Sequence, residues 1–202
     1  KAKGCHIWDL DNNKFLDMSY MGVGTNALGY ANQKIDKKVI NSIKNSNMST
    51  LNSTYEITLA EKLISIHNWA DKVRFTRSGG EANAVAIRLA RAFTKKDNIA
   101  ICGYHGWHDW YLSSNLSNQK NLDKHLLKDL NILGVPKKLK GTVFPFKYND
   151  FSALKKLIKN KKIGTIKMEV VRNVLPKNNF LKKVRNLATK NNIVLIFDEC
   201  TS

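Results

Sequence analysis

With 202 residues, 43% of them apolar, the chain can bury a sizeable core and fits one large domain or one and a half. Its 34 Lys and Arg against 16 Asp and Glu give a formal charge of +18, which raises nucleic acid or an anionic membrane as partners. The distribution argues against both: lysines lie along almost every segment, often beside Asn, as AT-rich codon usage alone would place them, and there is no zinc-finger spacing, aromatic RNA motif, basic zipper or apolar run of membrane-spanning length.

Cys5, Cys102 and Cys200 are odd in number, far apart and without a CxxC, so they read as reduced thiols of a cytosolic protein. The chain opens on Lys1 and stops at Thr201-Ser202 directly after an apolar run. It is therefore read as a fragment of a longer protein.

Residues 5–20, "CHIWDLDNNKFLDMSY", predict a hairpin turning at Asp11-Asn12-Asn13. The glycine-rich loop "MGVGTNALGYAN" follows. "QKIDKKVINSIKN" predicts a helix with Ile35, Val39, Ile40 and Ile43 inward, and "TYEITLAEKLISIHNWA" a second helix. From residue 72 the pattern becomes regular. A strand at 72–76, with Val73 and Phe75 on one face, leads to a helix at 80–95. Ala84, Ile87, Ala90 and Arg91 keep helical spacing there, and Leu89 and Phe93 widen the apolar face. Then come a strand at 98–102, a long loop from Gly103 to Lys140 with Leu-rich helical pieces, the stretch "GTVFPF", a helix at 150–160, a strand at 164–171, a helix at 179–190 and a strand at 193–197. Such alternation indicates an α/β domain with a mostly parallel sheet, and the last two strands read as buried on both faces. Ligands of such sheets gather beyond the carboxyl ends of the strands. The segments Arg77–Glu81, Gly103–His108, Glu169–Asn173 and Asp198–Glu199 lie there, and one cleft could collect all four.

Each segment has two readings by itself. Ser78-Gly79-Gly80 opens a helix and exposes unpaired N–H groups at its positive end, which suits an anion. It is equally a tight turn with Ser78 as N-cap and Glu81 as its charge complement. His105 and His108 resemble half a metal site, but without a third ligand nearby they read as structural or substrate-facing. Asp198-Glu199 ends a buried strand with two carboxylates, a solvated end unless something sits against it.

Taken in order, "GCHIWDLDNNKFLDM", "GTNALGYAN", "RSGGEANAVAIRLARAFTKKDNIAICGYHGWHDWY" and "IVLIFDECTS" resemble the class III, fold-type I, pyridoxal-phosphate aminotransferases, and within them the glutamate-1-semialdehyde aminomutase-like branch. The resemblance covers essentially the whole chain. It implies a three-layer α/β large domain with a mostly parallel central sheet over residues 51–202, and part of an N-terminal small α+β domain over residues 1–50. It implies pyridoxal 5'-phosphate as cofactor, no metal, a homodimer, and a small-molecule amino donor and carbonyl acceptor as substrates, with neither nucleic acid nor membrane as partner. By the family pattern Ser78, Gly79 and Gly80 hold the cofactor's phosphate, with Gly80 where relatives often carry Thr or Ser. Tyr104 stacks on the pyridine ring, His105 joins the cofactor-binding set, and Asp198 pairs with the ring nitrogen. Asp198 and Tyr104 are thus the expected catalytic residues. The family's covalent anchor lysine falls beyond Ser202. Glu169 is followed by Val170 instead of the proline common in relatives. Arg172 is either a bidentate holder of an anionic substrate group or a surface charge. Val23 stands where aminomutases usually carry Trp, so the substrate set of Val23, Glu169 and Arg172 suggests a different pocket, and an aminotransferase more than an aminomutase. A basic nucleic-acid-binding protein without enzymatic activity stays as the other alternative.

Overall fold

The computed structural model describes residues 1–45, 48–125, 128–171 and 173–201, and the chain divides into two compact units, Lys1–Arg74 and Phe75–Ser202. In the first unit the expected hairpin is present. β2 (His6–Trp8) pairs antiparallel with β3 (Lys14–Leu16), with Ile7 opposite Phe15, and β1 (Ala2–Lys3) adds to the other edge of β2. Asp9 makes the turn: its carboxylate accepts the N–H groups of Asp11 at 3.0 Å and Asn13 at 2.8 Å, while Asn12 takes the left-handed conformation that Asn tolerates. α1 (Gln33–Lys44) and α2 (Thr54–Ile66) start at side-chain N-caps, Asn32 and Ser53.

The inward face expected for α1 is not buried. Ile35, Val39, Ile40 and Ile43 are 47–57% exposed, and neither helix contains a buried residue. Helical period decides which face is apolar, not whether anything covers it. The strands of this unit are two or three residues long and supply no layer over that face.

The second unit carries the core. β4 (Ile99–Cys102), β5 (Val143–Pro145), β6 (Thr165–Glu169) and β7 (Val194–Asp198) form a fully parallel sheet in the order β5-β4-β6-β7. α3 (Gly79–Thr94) packs on one side of it, against β6 and β7, while α5 (Phe151–Lys161) and α6 (Phe180–Lys190) contact β4 and β7. α4 (Asp109–Leu112) and two short 3-10 turns occupy the long loop. Side chains alternate along the strands. Ala100, Cys102, Ile166 and Met168 join Leu154, Phe180, Val184 and Ala188 in one apolar cluster, and Ile99, Ile101 and Val143 join Ile87, Trp110, Tyr111 and Leu122 in another. Among the described residues no helix is long and apolar enough to cross a membrane.

Two expectations need correction. Residues 72–76 form no strand, because among the described residues no strand pairs with them to complete a ladder. Leu89 and Phe93 do not widen the buried face of α3; they are 62% and 81% exposed. The buried stripe is Asn83, Ile87 and Ala90, and at 100° per residue Leu89 lies about 200° away from Ile87.

Candidate functional site

All four polar segments contribute to one cleft of about 470 Å³, lined by Ser78–Glu81, Asn83, Tyr104–His108, Glu169, Asp198, Cys200 and Thr201. It lies at the carboxyl ends of the parallel strands and the start of α3.

The start of α3 is fixed by a reciprocal cap. Ser78 Oγ accepts the Glu81 N–H at 3.2 Å, and Glu81 Oε2 reaches back to accept the Arg77 N–H at 2.8 Å. The first N–H groups of a helix have no intrahelical acceptor, so those of Gly79 and Gly80 stay available. Any side chain there meets an obstacle: a Cβ on Gly79 would lie 2.8 Å from Cys200 Sγ, and one on Gly80 2.6 Å from His108 Cε1. His108 stacks on Trp107 at 5.0 Å, and its Nδ1 is buried with no hydrogen-bond partner among the described residues. Bare backbone donors at a positive helix end are suited to an anion. The cap and the anion site are therefore one feature. The imidazole of His108 takes the space that a Thr or Ser side chain would need at position 80.

Asp198 ends β7 opposite Glu169 of β6 and is buried. Its Oδ2 accepts from Asn83 Nδ2 at 2.9 Å and His105 Nδ1 at 2.8 Å, with Lys167 Nζ 3.3 Å away; its Oδ1 accepts the Cys200 N–H at 3.1 Å. Burial by itself would raise the carboxyl's pKa. The His105 hydrogen bond and the Lys167 charge outweigh burial and hold it well below the usual carboxylate range. His105 is wedged between Trp110, stacked at 6.4 Å, and the edge of Tyr111. Burial lowers its pKa, so it is a neutral imidazole whose Nδ1–H donates to Asp198. The site thus presents a pre-oriented carboxylate that strongly favours its ionised form, suited to pairing with a cationic N–H.

Tyr104 is half-buried, with its ring edge-on to Tyr111 at 6.0 Å and its backbone N–H donating to Glu169 Oε2 at 3.3 Å. It gives the cleft an aromatic wall. Glu169, also buried, accepts weakly from Thr201 Oγ1 at 3.5 Å and presses its carboxylate against Gly103, whose φ of 109° favours glycine. It borders a second cavity of about 290 Å³ with His125, Lys147 and Tyr148.

Ser78, Gly79, Gly80, Tyr104, His105, Glu169 and Asp198 therefore share one cleft. Val23 belongs to the first unit, in an exposed turn with φ 54°. Arg172 lies outside the described residues. Sequence reasoning overlooked Asn83 and Lys167. Both carried a signal: Asn83 is the polar member of the 83/87/90 buried stripe, and Lys167 interrupts an apolar strand on the face shared with Ile101 and Ile196. An anion cradle, an aromatic wall and an ionised carboxylate together fit a flat, phosphorylated heteroaromatic cation.

Comparison with known proteins points the same way. The chain matches the aminotransferase class-III family over residues 1–202. It is 34% identical to a glutamate-1-semialdehyde 2,1-aminomutase of Sulfurisphaera tokodaii, the match covering 98% of this chain and 48% of that protein. It is 32% identical to a 3-aminobutyryl-CoA aminotransferase of Cloacimonas acidaminovorans, over 100% and 46%. Among solved structures it resembles an omega-transaminase from Sphaerobacter thermophilus, with a TM-score of 0.84 and 27% identity over 98% of this chain and 48% of that one. The chain spans about half the length of the curated relatives it matches. Its α/β fold is that of the transaminases, and the chain belongs to the aminotransferase class-III family.

Proposed function

We propose that the whole protein is a pyridoxal-phosphate-dependent aminotransferase and that residues 51–202 supply the first part of its cofactor domain, with residues 1–50 in the small domain. The observation that carries this is Asp198: a buried carboxylate kept ionised by His105, Lys167, Asn83 and the Cys200 N–H, in the same cleft as the anion cradle at α3. On this reading the N–H groups of Gly79 and Gly80 bind the phosphate, and Ser78 fixes the turn that aims them. Tyr104 lies against the ring face, and Asp198 holds a proton at the ring nitrogen. His105 orients the carboxylate and, as a neutral imidazole, adds no second positive charge. When bound, pyridoxal phosphate supplies an electron-accepting ring that eases loss of a proton from the carbon bearing the substrate's amino group. The covalent anchor lysine and the proton-transfer base belong, on this reading, to the remainder of the protein. The substrates are a small amino donor and a carbonyl acceptor, the enzyme is a cytosolic homodimer, and Val23, Glu169 and Arg172 belong to the substrate pocket.

An intramolecular amino transfer is the second reading, favoured by relatives named glutamate-1-semialdehyde 2,1-aminomutase. Turnover without an added carbonyl acceptor would identify it.

The test is titration of the whole protein with pyridoxal 5'-phosphate, followed by the cofactor's absorbance. Gly79→Val puts a branched side chain against Cys200 and over the phosphate donors. It should weaken binding at least about tenfold, or about 1.4 kcal/mol. Unchanged affinity would show that the phosphate does not sit at this turn.

A further inference from the structure

Lys167 is a buried charge to which the proposed function gives no part beyond keeping Asp198 ionised. It stands on β6 with Ile101 of β4 and Ile196 of β7 as its register partners, on the strand face opposite Ile166 and Met168. An ammonium in such surroundings is costly without a counter-ion. Lys167 is 1% exposed, and its Nζ is 3.3 Å from Asp198 Oδ2. Among the described residues Lys167 pairs its charge with Asp198, and His105, as a neutral imidazole, donates to the same carboxylate.

The acceptor sites of Asp198 are accordingly divided. Oδ2 faces three donors, Asn83, His105 and Lys167, while Oδ1 receives the Cys200 N–H. A carboxylate oxygen offers two lone pairs, and the Cys200 thiol, which also hydrogen-bonds this carboxylate, is a weak donor that a further N–H would outcompete. The ionisable groups around this carboxylate are His105 from the loop after β4, Lys167 and Glu169 from β6, and Cys200 after β7. His105 is neutral, which leaves Lys167 as the cation among them.

We propose that Lys167 is a positioning residue that shares Asp198 with the cofactor's ring nitrogen and so sets how firmly that nitrogen holds its proton; this rests on the pyridoxal-phosphate reading above. Asp198 and Lys167 together are close to neutral. A protonated ring nitrogen held by Asp198 would be the second cation on one carboxylate, and the two would repel at short range in a poorly screened interior. Before the cofactor arrives, the same ammonium keeps Asp198 ionised inside the fold. The pairing therefore pre-forms the site at the expense of proton affinity at the ring. Lys167 does not line the cleft, so it acts through Asp198 without touching the cofactor.

The test uses the whole protein loaded with pyridoxal 5'-phosphate labelled with ¹⁵N in the ring, whose nitrogen chemical shift reports protonation directly. Lys167→Met, which keeps length but not charge, should raise the proton affinity of the ring nitrogen at least about tenfold, one pH unit in the titration midpoint. Lys167→Gln, which keeps a donor to Asp198 without the charge, should do the same. A midpoint within about twofold of the unmodified protein in either variant overturns the proposal. Asp198→Asn separates the two levels. If it leaves the ¹⁵N shift unmoved in bound cofactor, the ring-nitrogen role of Asp198 fails, and the proposal for Lys167 with it. If it abolishes ring protonation while the Lys167 variants change nothing, the role of Lys167 alone fails.

Discussion

The two faces of the parallel sheet are built from the same strands and do opposite things. On the side of α5 and α6, Ala100, Cys102, Ile166 and Met168 meet Leu154, Phe180, Val184 and Ala188, and the cluster is apolar throughout. On the side of α3, Ile99, Ile101 and Val143 begin an equally apolar layer with Ile87. Toward the carboxyl ends of β6 and β7 that layer gives way to Lys167, Glu169 and Asp198, joined by Asn83 and His105. One face contributes stability at little chemical risk; the other buries charge that pays only if every partner is in place. Strand periodicity lets the two coexist, because successive residues never share a face.

The sharpest way to break this division is to empty the apolar face. Phe180 packs its ring on Tyr148 at 5.2 Å and is fully buried. Phe180→Ala should cost about 3–5 kcal/mol in urea unfolding of the whole protein. Cofactor affinity at a temperature where the variant is folded should change less than about threefold, since the site lies across the sheet. A parallel loss of affinity would mean that the faces are not separable.

His125, in the long loop after β4, predicts a stability that falls in the acid range. Burial pushes His125 down from 6.5 to about 4, and its Nδ1 accepts the Gly103 N–H at 2.9 Å, which requires that nitrogen to be unprotonated. The unfolded chain therefore binds a proton that the folded chain refuses. The contribution is fully present above the unfolded value near 6.5 and is lost as pH falls toward about 4, about 3 kcal/mol in total. His125→Gln should flatten the stability profile across that interval. An unchanged slope would place the acid sensitivity elsewhere.

The smallest effect belongs to the cap. Ser78→Ala removes the acceptor of the Glu81 N–H and should cost about 1 kcal/mol of stability. It should also loosen cofactor binding, because the same turn aims the Gly79 and Gly80 donors. A stability loss with no change in affinity would separate the cap from the cradle.

Much of the second unit was legible because its strands and helices alternate and its turns carry Ser, Gly and Asp where physical chemistry requires them. The Ser78 cap and Asp198 at the end of β7 are of this kind. What periodicity could not give was coverage. The apolar faces of α1 and of Leu89 and Phe93 on α3 are real patterns that stay exposed, and residues 72–76 have strand composition but no strand partner among the described residues. Lys167 and Asn83 escaped for the converse reason. Each looked like a polar interruption in an apolar series, and only the adjacency of β6, β7 and α3 shows that both converge on Asp198.

The central claim, that Asp198 is the partner of a cofactor ring nitrogen, is tested most directly by Asp198→Asn in the whole protein with single-turnover kinetics. The amide is nearly isosteric and keeps a carbonyl to accept from His105, so the fold and the phosphate contacts should survive. It cannot hold the ring nitrogen's proton as a carboxylate does. The account predicts that cofactor still binds while the amino-transfer half-reaction slows at least about a hundredfold, about 3 kcal/mol of lost transition-state stabilisation. A variant with near-normal half-reaction rates would show that Asp198 is a buried strand-end carboxylate held for structure alone.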